Sequence, residues 1–478
     1  MNPRFACVAP PAPHRMLGVA GAALLSGVYR VAVWVGVASV VLVGALLVFV
    51  LIARTALRPA PGAWATTVQM GPMPVEVGVP SLIWLATTPW LVQLADGRTL
   101  PTTLGPVQVA WDAQANALSL NCRPCSIRNA SWGTEPLRLA EVRLTVQRMG
   151  MRLQGTVASG QVRARWRGQL TASSLTLEMD LPSTPVRDGY ALFASAIPEL
   201  GNAALQIDGS FELHATLVLP AGVLTLAPRL QGLAVQGLGT EQWAQAHSQC
   251  NRGLPERALG ARPTAQSLLA RAVIAAEDQR FYEHAGFDLV EITHALRDNQ
   301  RGGVNAPDTP RPATALRGAS TLSQQVAKLL VTGGERSPVR KMRELLYAVE
   351  MEQTLGKARI LGLYLDIAPW GAKLCGARAA AYTYFGKRAD RLSASEAAWL
   401  AAMLHNPSEE ARRWATTGQI NEARAQWVAR GMRGGGADAP RRRDAKMVAP
   451  HGRSSQEPVW RGGATHHRRD GARGLSRV

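Results

Sequence analysis

The spacing of apolar and polar residues changes several times along the chain. The first pattern is an uncharged apolar run of 22 residues, 31–52, which as a helix would measure about 33 Å and could cross a bilayer. Three arginines and no acidic residue precede the run within 1–30, and two arginines follow it closely. The length of the run predicts an uncleaved transmembrane helix 31–52. The charge bias predicts a short cytoplasmic segment 1–30. A cleavable signal sequence is the alternative, although its apolar core would span only about 7–15 residues.

Short runs with a period of two follow from residue 64 to residue 245, separated by Gly, Pro, Asn or Ser. Alternation of this kind, as in SFELHATLVL, predicts an all-β domain. Nothing in it resembles a catalytic constellation. Cys122 and Cys125 stand three positions apart there, and a redox pair or a metal site would need a βαβ context or further ligands. A short structural disulfide is therefore the interpretation that we favour.

A helical period begins after about residue 254 and continues to about residue 430. The apolar run LLARAVIAA ends at Glu277 and Asp278, so a carboxylate lies at the edge of a buried surface. Partial desolvation raises the proton affinity of a carboxylate, which suits a general base. A solvated acidic pair at a helix end is the ordinary alternative.

A polar stripe follows in GASTLSQQVAK, residues 318–328. Thr321, Gln324, Gln325 and Lys328 recur at helical spacing, and Thr321 with Gln324 fits a capping box. A surface helix could look the same, but a hydroxyl, two amides and an ammonium on one face suit a phosphorylated sugar.

A second helix start is predicted at Ser337, with Pro338 in the first turn. Free backbone N–H groups beside Arg336 would favour an anion there. Arg340 and Glu344 stand four residues apart on this helix, and an exposed pair of that spacing would contribute only about 0.3 kcal/mol.

Composition narrows the possible partners. The chain has 478 residues, of which 47% are hydrophobic and 18% are charged, so it is neither a disulfide miniprotein nor wholly disordered. The formal net charge of +19 favours an anionic partner, whether phosphate, nucleic acid or lipid headgroup. The basic Gly- and Pro-containing tail, 431–478, is predicted to be disordered. Weak attraction to anionic lipid, or no role, is favoured over nucleic-acid binding.

Five motifs in order resemble those of the peptidoglycan glycosyltransferase (transglycosylase) family, in its monofunctional form, with an extra N-terminal β-rich domain. They lie between Ala276 and Pro407 and read EDQRFYEHAGFD, GASTLSQQVAK, RKMRE, KARILGLYLD, and GARAAAYTYFGK followed by LSASEAAWLAAMLHNP. The resemblance implies a mainly α, lysozyme-like domain over 254–430 that polymerises lipid II into a nascent glycan chain. It places this domain on the periplasmic side of the inner membrane, where the chain would be anchored as a single-pass protein.

The resemblance also implies roles for individual residues. Glu277 matches the catalytic base, and Glu344 matches a second motif glutamate close to the donor phosphates. Phe281 and His284 match positions that shape the first motif. The residues that match sugar- or pyrophosphate-binding positions are Asp278, Ser320, Gln324, Gln325, Lys328, Arg336, Arg340, Lys341 and Arg343.

A lipid diphosphate is already a stable anionic leaving group, so cations rather than a general acid are needed beside one base. No protein metal ligands are predicted, and a divalent cation, Mg²⁺ or Mn²⁺, is an open alternative at the diphosphate. An envelope protein or lipid is an open partner for the β domain, and no nucleic-acid partner is expected. No set of SxxK, SxN and KTG is present, so no transpeptidase activity is expected.

Three positions depart from the family pattern: Leu329 replaces an Asn, Gly362 a Glu and Asp366 an Asn. The predicted base and cations are all present, which favours an active enzyme. Two other functions stay open. One is a lytic enzyme that cleaves finished peptidoglycan, and the other is a catalytically degenerate envelope scaffold.

Overall fold

The computed structural model describes residues 34–45, 48, 59, 61–70, 73–128, 136–246, 260–304, 318–334 and 337–433. The chain divides into two compact units. The first contains the residues up to Leu94 together with Gln169–Leu175, and the second contains the rest. The predicted boundary between a β-rich and a glycosyltransferase domain therefore falls inside the second unit. Segment 1–30 and tail residues 434–478 lie outside the described residues.

The predicted transmembrane segment is described only in part. Residues 34–45 are helical, and of the other residues of 31–52 only residue 48 is described. Within the described part of the chain, no helix has the length and apolar character needed to cross a membrane. The transmembrane helix is therefore unconfirmed and stays a prediction.

The first unit holds a β-hairpin followed by two short helices. Strand β1 (Ala65–Met70) pairs antiparallel with β2 (Met73–Gly78), and helices α1 (Val79–Ala86) and α2 (Pro89–Ala95) follow. The region 64–245 is therefore β-rich, as predicted, but it is not all-β, because it also contains these helices. Its apolar run around Leu82 and Trp84 does not alternate, and a proline in the first turn favours a helix start.

A nine-stranded sheet dominates the first part of the second unit. Helix α3 (Val186–Ala191) connects β11 to the next segment. The strands are β3 (Thr99–Thr102), β4 (Gly105–Asp112), β5 (Ala117–Cys122), β8 (Val142–Met149), β9 (Arg152–Ser159), β10 (Val162–Leu170), β11 (Leu175–Pro185), β12 (Gln206–Leu219) and β13 (Val223–Gln236). In the large sheet these strands lie in the order β13-β12-β11-β10-β9-β8-β5-β4-β3. A separate pair comprises β6 (Cys125–Ile127) and β7 (Leu137–Leu139). The predicted disulfide is present, joining Cys122 to Cys125.

The second part of this unit is helical, as predicted, with a two-stranded sheet of β14 (Pro369–Gly371) and β15 (Leu374–Cys375). Its helices are α4 (Leu268–Glu277), α5 (Leu289–Val304), α6 (Leu322–Ala327), α7 (Pro338–Thr354), α8 (Gly356–Ile367), α9 (Ala377–Phe385), α10 (Ala394–Met403), α11 (Pro407–Thr417) and α12 (Glu422–Arg433). Their apolar faces enclose one core, which includes the fully buried Phe281, Leu361 and Trp370. Helix α4 packs against α10 and α12, and α6 packs against α7 and α8.

Side-chain caps fix where the helices around the candidate site begin. Thr321 and Gln324 form the predicted capping box of α6. Ser337 caps α7 as predicted, since its hydroxyl accepts from the Arg340 N–H and Pro338 follows it. Ser267 caps α4 in the same way. These starts determine which face of each helix meets the site.

Candidate active site

Glu277 is the last residue of α4, and its side chain is 12% exposed. The helix brings it there because Leu269, Ala272 and Val273 are buried in the core, which leaves the carboxylate at the edge of that core. The predicted placement is therefore observed. A mostly buried carboxylate that keeps some exposure can accept a proton from a ligand without being fully hydrated.

Three side chains from other helices surround this carboxylate. The Gln325 amide donates to Glu277 Oε2 at 3.1 Å, and the Tyr364 hydroxyl donates to the Gln325 carbonyl at 3.1 Å. Arg424 Nη2 lies 3.4 Å from Glu277 Oε1. Burial raises the pKa of Glu277, and the Gln325 hydrogen bond and the Arg424 charge offset only part of that rise. The carboxylate is thus oriented and more basic than an ordinary glutamate.

A second cluster lies on the first turns of α7. Glu344 is fully buried and pairs with both Arg340 and Lys341, with Lys341 Nζ 2.7 Å from Glu344 Oε2. Lys341 also donates to the Ser320 hydroxyl at 2.6 Å. Partial burial, followed by the charges of Arg340 and Lys328, lowers the pKa of Lys341 to about 8. Two cationic side chains therefore pair with one buried anion, and Lys328 is near enough to act on Lys341.

Helix α6 connects the carboxylate to the cations. Ser320, just before α6, contacts Lys341, and Gln325 within α6 contacts Glu277. Lys328 follows Gln325 by three residues, a rise of about 4.5 Å along a helix, and acts electrostatically on Lys341. One short segment thus carries contacts to the proposed base and to the cation cluster.

Glu344 is buried in the cation cluster. Its side chain has no exposed surface, and its two oxygens face Arg340 and Lys341. Thr332 adds a weak hydrogen bond at 3.4 Å. In this arrangement Glu344 orients the two cations, and its catalytic role stays a prediction.

Two further predicted binding residues support the fold instead. Asp278 is 8% exposed and accepts from His284 Nε2 and from the Leu322 N–H, which ties the first motif to the start of α6. Gln324 is 7% exposed, and its side chain accepts from the Thr321 N–H as the capping partner. Asp278 thus bonds to a side chain and to the backbone within the fold, and Gln324 bonds to the backbone at the helix start. His284 shapes the first motif, as predicted.

Arg343 is directed away from the cation cluster. Its guanidinium forms a bidentate pair with Glu199, with Arg343 Nη2 2.7 Å and Arg343 Nε 2.9 Å from Glu199 Oε1. In this arrangement the Arg343 guanidinium already pairs with a carboxylate from the sheet-bearing part of the unit. Its predicted contact with a diphosphate stays a prediction. Arg336, also predicted to bind diphosphate, lies outside the described residues.

Two of the arginine contacts had no sequence signal. Arg424 is 147 residues from Glu277, and Glu199 is 144 residues from Arg343. Neither belongs to a motif, and α12 reads as an ordinary amphipathic helix. Only the tertiary fold brings these pairs together.

The three departures leave the cluster intact. Leu329 is 38% exposed, so it does not alter the core. A Cβ atom at Gly362 would meet nothing within 4 Å. Asp366 is buried and pairs with Arg262 at 3.2 Å. Among the described residues, no group of three or more His, Cys, Asp or Glu side chains could hold a metal ion.

The helical fold and this site define a class: a domain with one basic carboxylate next to a group of cations, suited to general-base chemistry on an anionic ligand. Residues 259–433 match the sequence model of the transglycosylase family. This domain is therefore similar to the transglycosylase family, in agreement with the five motifs.

The chain is similar to several proteins named biosynthetic peptidoglycan transglycosylase. It is 44% identical to that of Pseudomonas aeruginosa over 161 residues, which are 34% of this chain and 64% of the relative. It is 46% identical to that of Pectobacterium carotovorum over 171 residues, 36% of this chain and 65% of the relative. For Bordetella pertussis the identity is 44% over 165 residues, 34% and 65% of the two chains. The chain thus spans slightly less than two thirds of these relatives.

The shifted pKa values predict a bell-shaped pH profile of kcat/KM. Glu277 must be ionised to accept a proton, so activity should rise with pH through its raised pKa, above the ordinary value of 4.5. Lys341 must be charged to neutralise an anionic ligand, so activity should fall as pH rises through about 8.

The control for this profile is Lys341→Arg, because a guanidinium does not lose its charge in this range. We expect the alkaline limb to disappear in this variant and the acid limb to stay. An alkaline limb that persists unchanged in Lys341→Arg would contradict the role given to Lys341.

Proposed function

We propose that this protein is a membrane-anchored peptidoglycan glycosyltransferase. It polymerises lipid II into glycan strands with inversion at the anomeric carbon and releases undecaprenyl diphosphate. The observation that supports this best is the connection, through α6, between the basic carboxylate Glu277 and the cations around Glu344. A base alone would also suit hydrolysis, whereas the cations specifically suit an anionic leaving group.

In the proposed reaction, Glu277 takes the proton from the 4-hydroxyl of the acceptor GlcNAc. The hydroxyl oxygen then forms a bond to C1 of the donor from the face opposite the diphosphate, which inverts this centre. The bond between C1 and the diphosphate oxygen breaks, and its electron pair stays on the diphosphate. Lys341, Lys328 and Arg340 supply positive charge there, and preorganised charges of this kind lower the barrier.

The substrate itself tests this proposal. The full chain should convert purified lipid II into long glycan strands, and it should not cleave finished peptidoglycan. Cleavage of finished peptidoglycan without use of lipid II would support the lytic alternative. No reaction with either substrate would support the scaffold alternative.

The membrane location is part of the same proposal. Apolar side chains of the helical residues 34–45 are uncovered by protein, with Val40 73% and Leu42 72% exposed. Residues 79–95, in α1 and α2, carry no charge, and Trp84, Trp90 and Leu94 are each more than half exposed. Tryptophan favours the bilayer interface, so these helices would lie at the membrane surface after the anchor.

We expect the double variant Trp84→Glu/Trp90→Glu to slow polymerisation several-fold when lipid II is supplied in vesicles. The two carboxylates would be expelled from the interface, which would displace the enzyme from its substrate. Rates with detergent-dispersed lipid II should be unchanged. Met149→Glu is the matched control, since Met149 is 53% exposed on the large sheet. Equal rates for the double variant and wild type in vesicles would contradict this membrane contact.

A further inference from the structure

The two sides of helix α7 differ, since one is charged and the other is apolar. Arg340, Lys341 and Glu344 share one face, which carries the cation cluster. Met342, Leu346 and Val349 fall on the opposite side of a helix with 3.6 residues per turn. Leu346 and Val349 are almost completely buried, and the cover they receive comes from the sheet-bearing part of the unit.

The cover is a hydrophobic cluster that joins the two parts of the unit. Val186, Tyr190, Ile197 and Val235 come from α3, the segment that follows it and β13. Ile197 and Val235 have no exposed surface. The Tyr190 hydroxyl donates to the Met342 carbonyl at 3.0 Å. The sheet region therefore contacts α7 directly behind the cations.

Polar contacts extend this attachment along the helix. The Leu238 N–H donates to Glu350 Oε1 at 2.8 Å, and the hydroxyls of Thr240 and Thr354 lie 2.8 Å apart. These bonds fix the second half of α7. Near the cations, the Arg343 guanidinium also pairs with Glu199.

Glu199 is well suited to hold this end of the helix. It is 9% exposed and accepts three hydrogen bonds of 2.7–2.9 Å from the Arg343 guanidinium. A bidentate pair of this kind constrains direction as well as distance. Burial alone would raise the pKa of Glu199, but the hydrogen bond and charge of Arg343, together with a backbone hydrogen bond and one from Tyr347, lower the pKa, so the carboxylate stays ionised at neutral pH.

We propose that Glu199 is a positioning residue for the glycosyl transfer. Through Arg343 it sets the rotation of α7 and thereby the place of Arg340 and Lys341 relative to the donor diphosphate. The sheet-bearing region is then part of the catalytic architecture. This inference rests on the proposed function, because the positioned cations act on the leaving group of that reaction.

The test is a double-mutant cycle on the full chain with Glu199→Gln, Arg343→Gln and both together. Misplacing catalytic groups by about 1 Å can cost about 100-fold, so we expect Glu199→Gln to lower kcat on lipid II by about ten- to 100-fold. The KM should change much less. The double variant should be no slower than the slower single variant, since both substitutions break one contact.

Glu141→Gln is the matched control. It replaces another glutamate of the sheet region, which pairs with Arg143 at 2.9 Å within that region. Rates are compared per folded protein, below the unfolding temperature of every variant. Wild-type kcat in Glu199→Gln, or an equal loss in Glu141→Gln, would overturn the inference.

Misfolding of Glu199→Gln and inactivity of the wild type must each be distinguished from failure of this inference. If Glu199→Gln does not fold, Glu199→Asp takes its place, because it keeps the charge but shortens the reach to Arg343. A reduced kcat in Glu199→Asp would support the inference, and a wild-type kcat would overturn it. Wild-type protein that leaves lipid II unchanged would instead refute the proposed function on which the inference rests.

Discussion

The Glu277→Gln variant is expected to polymerise lipid II about 10²- to 10⁴-fold more slowly than wild type, the range typical for loss of a general base. Glutamine keeps the size of the side chain but cannot take the proton from the acceptor hydroxyl. The rate is measured as glycan formed per time from purified lipid II. Glu283→Gln, in the same motif, is the matched control, because Glu283 is 62% exposed and pairs with Arg280 at 2.9 Å.

The same substitution should leave stability unchanged or raise it. The folded protein holds the pKa of Glu277 above its unfolded value, so the protonated form is favoured in the folded state. The associated stability is present at low pH and is lost as pH rises through the raised pKa. At neutral pH a neutral glutamine removes that penalty. Loss of activity together with loss of folding would contradict this assignment.

The Glu344→Gln variant is expected to lose about 3 kcal/mol or more of the free energy of unfolding, which chemical denaturation measures. Glu344 is fully buried and pairs with Arg340, whose side chain is 10% exposed. Removing one partner of a buried ion pair leaves a desolvated charge and typically costs about 3–5 kcal/mol. Lys341 adds little to this figure, since its side chain is 42% exposed.

Activity should fall as well in Glu344→Gln, because Arg340 and Lys341 lose the anion that orients them. Glu409→Gln is the control, since Glu409 pairs with Arg412 on the surface of α11. An exposed pair of this kind contributes about 1 kcal/mol or less. A Glu344→Gln variant as stable as the Glu409→Gln variant would contradict the structural role of Glu344.

The sequence predicted local features well. The caps at Thr321 and Ser337 depend on side chains within three residues of the helix start, so their pattern is legible in one short segment. Glu277 was predicted for the same reason, since an apolar helix ends beside it. The alternation between residues 99 and 236 likewise predicted strands.

Non-local pairing was not predictable from the same information. Strand β5 pairs with β8 rather than with β6, and nothing in the alternation specifies that neighbour. The direction of Arg343 depends on Glu199, which lies 144 residues earlier in the chain. The helices α1 and α2 were missed because a short apolar run does not distinguish helix from strand.

The central claim is that Glu277 activates the acceptor while Lys328 and the α7 cations stabilise the departing diphosphate. Gel-resolved polymerisation of purified lipid II by the full chain, beside Glu277→Gln and Lys328→Ala, tests it most directly. The account predicts long strands from the wild type, none from Glu277→Gln and a strong reduction with Lys328→Ala. Strands of equal length and yield from all three proteins would contradict it.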